Sequence, residues 1–246
     1  MNTHRDSVRR APARTLPICL AITVLSLFRW NCLAEDATND TPHSTASRGL
    51  VPLILKLPLP VLNGTPKDIK IPGVEPLSDK LRPPMMVPAG LRNIAGTAKL
   101  TCSDPHASAP MLAQIVDGNK EANEGNIVAL RKGMQWVQMD FGGLRQVFAI
   151  VIWHCYDSLK VYHDVIVQAA DDPSFTQDTK TLFNNDADNS SGLGVGTDRE
   201  YFESFQGKLI NARGIAARYL RFYSKGSTES AFNEYIEIEV YGRPVK

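Results

Sequence analysis

From residue 135 the chain alternates between apolar and polar positions with the period of a β-strand. In "QWVQMDFGG" Val137, Met139 and Phe141 fall on one face and Trp136, Gln138 and Asp140 on the other, the pattern of a strand with one side in a core. "QVFAIVIWH" is apolar on both faces, which predicts an inner strand covered on both sides. "HDVIVQAADDP", "ARYLRFYS" and "YIEIEVYG" are further short runs that stop at Asp-Pro, Ser-Lys-Gly or Gly. No helical stripe of useful length lies between them. Short strands separated by Gly, Asn and Asp turns predict an all-β antiparallel β-sandwich of the jelly-roll kind.

The chain before residue 88 is patterned differently. "HRDSVRRAPART" is basic, "LPICLAITVLSLF" is apolar, and "NCLAED" offers small residues before an acidic, polar stretch. That order is a signal peptide over 1–34, cut after Ala34. The apolar run is too short, and too soon interrupted by Arg29, to span a bilayer, so the mature chain is expected to carry no integral membrane segment. Arg9 and Arg10 leave a twin-arginine route open beside the general one. Residues 35–87 read as a leader without a core and then a spacer: "LVPLILKLPLPVL" is apolar, but prolines at 52, 58 and 60 forbid a helix interior or a central strand. The recurring prolines to residue 88 predict a semi-rigid, polyproline-like segment. Leu53, Ile54, Leu55 and Leu57 are then expected to dock on the following domain or on a protein partner.

Charge changes the picture little. The 246-residue chain holds 27 Lys plus Arg against 26 Asp plus Glu, and removing the signal takes five Arg and one Asp, so the exported chain is mildly acidic. No basic run interleaved with aromatics offers a nucleic-acid footprint. Four cysteines become two, Cys102 and Cys155, either disulfide-bonded or free. Catalytic motifs are missing: there is no Gly-x-Ser-x-Gly elbow, no His-Glu-x-x-His and no phosphate loop. His163 and Asp164 are neighbours in a presumed strand, where they would point to opposite faces.

Taken in order, "RNIAGTAKLTCSD", "QIVDGN", "WVQMDFG", "AIVIWH", "ARYLRFYS" and "YIEIEVYG" resemble the discoidin, or coagulation factor 5/8 type C, family over Pro88 to Pro244. The resemblance implies a galactose-binding-like jelly roll without catalytic activity, often found as family 32-like carbohydrate-binding modules of secreted bacterial enzymes. Two departures stand out. The C-terminus, "YGRPVK", has no cysteine to tie the ends, and "HCYDSLKVYH" lacks the Arg and Asn with which sugar-binding members commonly contact galactose.

By itself, the Asp-Gly pair of "AQIVDGN" closing an apolar run reads as a tight turn at the end of a strand. The resemblance adds a structural calcium there, held by Asp117, Asn119, Glu237 and the main-chain oxygen of Ile236, and calcium does prefer such oxygen donors. Read alone, Glu237 alternates outward from Ile236 and Ile238 as an ordinary solvent-facing strand residue. For the ligand surface, "WHCYDSLKVYH" offers His154, Tyr156, Asp157, Lys160 and His163, rings and hydrogen-bonding groups suited to a sugar. "FNNDADNSSGLGVGTDRE" is long for a hairpin connection; Asp186 and Asp188 suggest a cation but fail EF-hand spacing, and the stretch reads as a flexible, solvated loop. "SKGSTESAFNE", with Phe232, is the third candidate loop. The sequence thus predicts an exported binding module (periplasmic, cell-surface or secreted) for carbohydrate; the alternatives are a protein-interaction or structural module of the cell envelope and a lipid-binding module.

Overall fold

β6 (Gln135–His154) and β9 (Lys208–Ser224) are long enough to serve two layers each, and they organise the molecule. In the computed structural model, which describes residues 49–61, 70–78 and 80–245, they pair antiparallel along most of their length, with register shifts between Asp140 and Arg145 and between Val147 and Ala149. Strands change layers at such irregularities. Before the first shift β6 also pairs with β4 (Lys99–Cys102), while the C-terminal half of β9 pairs with β7 (Ile166–Ala170), which pairs in turn with β8 (Lys180–Asn184). After it, β6 pairs with β10 (Asn233–Pro244), flanked by β3 (Arg92–Asn93) and β5 (Val128–Leu130). The result is the expected all-β antiparallel sandwich. The signal segment and the leader up to residue 48 lie outside the described residues.

The alternation read from the sequence places the core. Val137, Met139, Phe141, Ile150 and Ile152 from β6 meet Leu220 and Phe222 from β9, and Tyr235, Ile238 and Val240 from β10, between the layers. Val151 and Trp153 point the other way, into a second apolar cluster on the outer face with Cys155, Tyr156 and Ile236. An inner strand apolar on both faces therefore has a reason on each. The corner at Asp140 is pinned by Arg218, whose Nε and Nη2 donate to the Asp140 carboxylate at 2.8 and 2.9 Å, a bidentate geometry.

The described parts of the proline-rich segment pack on the outer cluster and hydrogen-bond to the sandwich rather than standing off as a spacer. β1 (Leu50–Pro52) pairs with β2 (Met86–Pro88) as a two-stranded ribbon, and prolines sit in such edge strands without loss. Leu55 and Leu57 pack on the outer cluster; Ile54 stays 74 % exposed. Arg82 donates to the carbonyls of Gly207 and Gln206, and Glu75 N–H to the carbonyl of Glu200. Cys102 and Cys155 are free thiols in separate apolar clusters. The run before Asp117 is helical, not a strand: Ser108 caps α1 (Ala109–Ala113) with Pro110 in its first turn, and a 3-10 turn, Gln114–Val116, continues it. Ser followed by Pro at a helix start is a signal the strand reading passed over.

Candidate functional site

Asp117 caps that 3-10 turn, and its Oδ1 accepts from Asn119 N–H at 2.7 Å. Gly118, at φ +88°, then presents its N–H to Glu237 Oε2 at 3.2 Å. Glu237 is fully buried, not solvent-facing, because the 117–122 loop folds over the outer face of β10 and places Lys120 there, with its ammonium 2.7 Å from Glu239 and 5.1 Å from the Trp153 ring centre. A bulge between Tyr235 and Glu237 puts Ile236 on the same outer face. The structure thus brings the Asp117 turn against Glu237, with Asn119 hydrogen-bonded to Asp117 and the Ile236 side chain in the neighbouring apolar cluster.

Burial pushes the Glu237 carboxyl up to about 8, and the carboxylates of Glu239 and Asp117 add to the effect against the opposing Gly118 N–H and Lys120. Its Oε1 is buried without a hydrogen-bond partner. An orphaned carboxylate oxygen beside a second carboxylate fits a cation. Part of the remaining oxygen supply is engaged: Asn126 Nδ2 donates to the carbonyls of Asn119 and Glu121 at 2.8 and 3.1 Å.

The loop from residue 155 to 165 is not an open turn. It is threaded between the loops 185–207 and 225–232 by main-chain hydrogen bonds, Glu203 N–H to Lys160 and Lys225 N–H to His163 among them, and its rings fill the interior. His154 is fully buried, stacked 4.5 Å from Tyr162, with Nδ1 2.7 Å from Glu203 Oε1. Tyr156 is buried and donates its hydroxyl to the carbonyl of Lys120 at 2.7 Å. Lys160 is buried between Asp157, at 2.8 Å, and Glu234, at 3.5 Å. Burial removes His154, Tyr156 and Lys160 from the expected ligand surface and makes them framework. Asp157 is half exposed but paired to that framework. His163, at the far end of the loop, remains at the surface with Nδ1 2.9 Å from Glu200 Oε1.

Beside His163 the three candidate loops meet in a cleft of about 450 Å³. The first loop contributes His163 and Asp164, the second Asn185, Asp188 and Glu200, and the third Lys225. His163 and Asp164 share the cleft, contrary to the strand reading, because Asp164 takes φ +50° and turns the chain there; Asp tolerates that region better than most residues. Lys225 Nζ lies 2.8 Å from Ser190 Oγ and 3.4 Å from Asp164, and Ser190 Oγ donates to Asp164 at 2.6 Å. Asn185 Oδ1 accepts from Val165 N–H at 2.7 Å, while its buried Nδ2 has no partner.

The long loop that forms one wall is hydrogen-bonded internally rather than a free solvated stretch. Asn184 N–H donates to Asp198, Asn184 Nδ2 to the carbonyl of Gly194, and Gly196 N–H to the carbonyl of Asp186. Asp186 is buried behind the cleft; burial works to raise its carboxyl, but hydrogen bonds from Ser191 and Ser190 hold it below the usual range. Carboxylate oxygens of Asp164, Asp186 and Asp188 lie within 4.8 Å of one another. A second cleft of about 460 Å³ flanks the proline-rich segment; two of its cations are engaged, Arg82 on main-chain carbonyls and Lys208 on Glu75. Asn185, Glu200 and Lys225 were not singled out from the sequence, although each lies in a stretch whose polarity marked it.

No family model matches the chain, and no curated protein does. Among solved structures, the chain is similar to a family 89 glycoside hydrolase from Clostridium perfringens in complex with 2-acetamido-1,2-dideoxynojirmycin, at 16 % identity and a TM-score of 0.43 over 61 % of this chain and 15 % of that one. It is also similar to the CBM32 of AlyQ in complex with 4,5-unsaturated mannuronic acid, at 18 % identity and 0.40 over 57 % and 92 %. A third is the fucolectin from striped bass (Morone saxatilis) serum, at 17 % and 0.43 over 64 % and 49 %. The chain spans about 15 % of the length of the hydrolase.

Proposed function

We propose that this chain is an exported, non-catalytic module that binds carbohydrate in the cleft between residues 155–165, 185–207 and 225–232, with a structural calcium in the Asp117 turn. The observation that carries the reading is the convergence of donors and acceptors from three loops on one cleft. A sugar hydroxyl both donates and accepts, so it suits a lining that mixes His163, Asn185 and Lys225 with Asp188 and Glu200. Export rests on the order of basic, apolar and small residues over 1–34; no described helix is long and apolar enough to cross a membrane.

For the calcium, the support is the partnerless Glu237 Oε1 beside Asp117. Asp117 and Glu237 would hold the ion, Asn119 and the Ile236 carbonyl completing the set, and it would supply a cross-link between the 117–122 loop and β10. The glycan reading is tested by retardation in polysaccharide-loaded native gels and on a glycan array: retention that is lost when His163 and Asp188 are both replaced by Ala supports it, and no retention on any glycan by the folded protein overturns it. The second reading, a protein-interaction module, draws on Ile54 and Leu59, each 74 % exposed, and Leu81, 67 % exposed, along the proline-rich segment. Capture of a defined envelope protein that Ile54→Ser abolishes would favour it.

A further inference from the structure

The two-stranded ribbon of the proline-rich segment is apolar on both faces, and the sandwich accounts for one of them. In the antiparallel register Leu50 lies opposite Pro88 and Pro52 opposite Met86, with Val51 opposite Val87 between them. Alternation sends the two sets to opposite faces. The ladder runs on through Leu53 N–H, which donates to the carbonyl of Met85 at 2.8 Å. Val87 is buried, and Leu55 and Leu57 pack on the outer cluster. The other face carries Leu50, Pro52, Met86 and Pro88 and continues into Ile54, which is 74 % exposed; neither apolar cluster of the sandwich takes these residues in. A ribbon with one face in water is expected to be polar on that face, yet this one carries no charged side chain there. Beside it lies a groove of about 160 Å³, lined by Leu53, Ile54, Leu55, Leu81 and Leu209 among others. The charged residue in its lining, Arg82, is engaged by the carbonyls of Gly207 and Gln206.

We propose that a second copy of this chain covers this face, the two ribbons packing front to front about a two-fold axis with Ile54 of each copy seated in the groove of the other. The area is what such a contact needs. Leu50, Ile54, Leu59, Leu81 and Met86, with the exposed prolines among them, offer on the order of 400 Å² of apolar surface. That matches the apolar share of an interface burying about 800 Å² on each copy, and patches beyond a few hundred Å² mark interaction sites. The face also fits itself, since a protruding Ile54 stands beside an apolar groove, and an isologous contact requires a surface that is its own complement. It holds no charge for a charged partner to answer. Pro52 and Pro88 weaken strand addition at the ribbon edges, which leaves face-to-face packing, as between the layers of a sandwich. The leader does not supply the cover, because residues 35–48 carry only Ala37, Pro42 and Ala46 as apolar side chains. None of the residues lining the His163 cleft belongs to the ribbon, so the proposal stands apart from the carbohydrate reading.

The test is sedimentation equilibrium of the full exported chain over a range of concentrations, at low and high NaCl. A reversible dimer is expected, and high NaCl should not loosen it, since salt screens charges and leaves apolar contact in place. Ile54→Ser and Met86→Ser remove exposed side chains that neither apolar cluster includes, so the fold, checked by circular dichroism, is retained. Each should weaken the dimer about tenfold or more, because an isologous contact loses the side chain twice. Leu144→Ser, at an apolar residue 45 % exposed outside the proline-rich segment, is the control and should leave the dimer unchanged. A chain that stays monomeric at every concentration overturns the proposal. So does a dimer that the Ile54→Ser, Met86→Ser double variant forms as well as wild type, or one that high NaCl dissociates. Association that grows past two copies overturns the two-fold packing. A monomer that captures a different protein through Ile54 makes the face a docking site for that protein and also overturns the proposal.

Discussion

Gly207 sits at φ +61° where the chain turns into β9, and a Cβ added there would lie 2.6 Å from Trp153 Cε2 and 2.8 Å from Nε1. The ring has nowhere to retreat. Trp153 is fully buried, its Nε1 donates to the carbonyl of Phe205 at 2.9 Å, and Lys120 covers it. Gly207→Ala therefore combines two costs, about 1–2 kcal/mol for a left-handed alanine and about 1–3 kcal/mol for forcing extra volume into a packed cluster. The sum, about 2–5 kcal/mol, is read from urea unfolding midpoints at constant slope. Gly133→Ala is the control: its φ is +84° with nothing within 4 Å of the added carbon, so only the backbone cost of about 1–2 kcal/mol applies. If the two variants lose stability equally, Trp153 is not the fixed floor of the outer cluster, and the account of how that face buries Glu237 is wrong.

Other predictions concern metal, acid and thiol chemistry. Calcium at about 100 times its dissociation constant should stabilise the chain by ~2.7 kcal/mol, a rise in Tm of about 5–10 °C for a unit of this size; Glu237→Gln should remove the increment, and a wild-type curve indifferent to chelator refutes the site. Burial works to raise the Asp104 carboxyl, but the N–H groups of His106 and Arg131 and the Arg131 charge hold it below the usual range. Its contribution is therefore complete above about pH 4 and lost as the pH falls through its lowered folded value, so Asp104→Asn should lower Tm at neutral pH and converge with wild type in acid. Burial pushes the Cys155 thiol up to about 11, so iodoacetamide at pH 8 should leave it unmodified in the native chain and label it in urea, as mass spectrometry would show.

The strands were legible because their burial is periodic. Val137, Met139 and Phe141 enter the core on the alternation that "QWVQMDFGG" displays, and 146–154 is apolar on both faces because both faces are covered. Glu237 was not legible: it alternates as a solvent residue should, and its burial comes from the 117–122 loop and the Leu55 and Leu57 segment, far away in sequence. His154 and Tyr156 misled for a related reason. A loop rich in rings reads as a binding surface, but threading it between two other loops turns the rings inward. What the sequence did carry was the location of the cleft, since all three of its walls come from stretches that were unusually polar or aromatic for turns. Which side chains face inward depends on turns such as Asp164 at φ +50°, and no periodicity records them.

The most direct measurement is amide and side-chain chemical-shift mapping of the isotopically labelled chain, titrated with the glycan that a glycan array retains best. The expected result is saturable shifts confined to His163, Asp188, Ser190, Glu200 and Lys225 around the cleft. Shifts that instead cluster on the proline-rich segment around Ile54 and Leu81, or an array on which no glycan is retained by the folded chain, would contradict it.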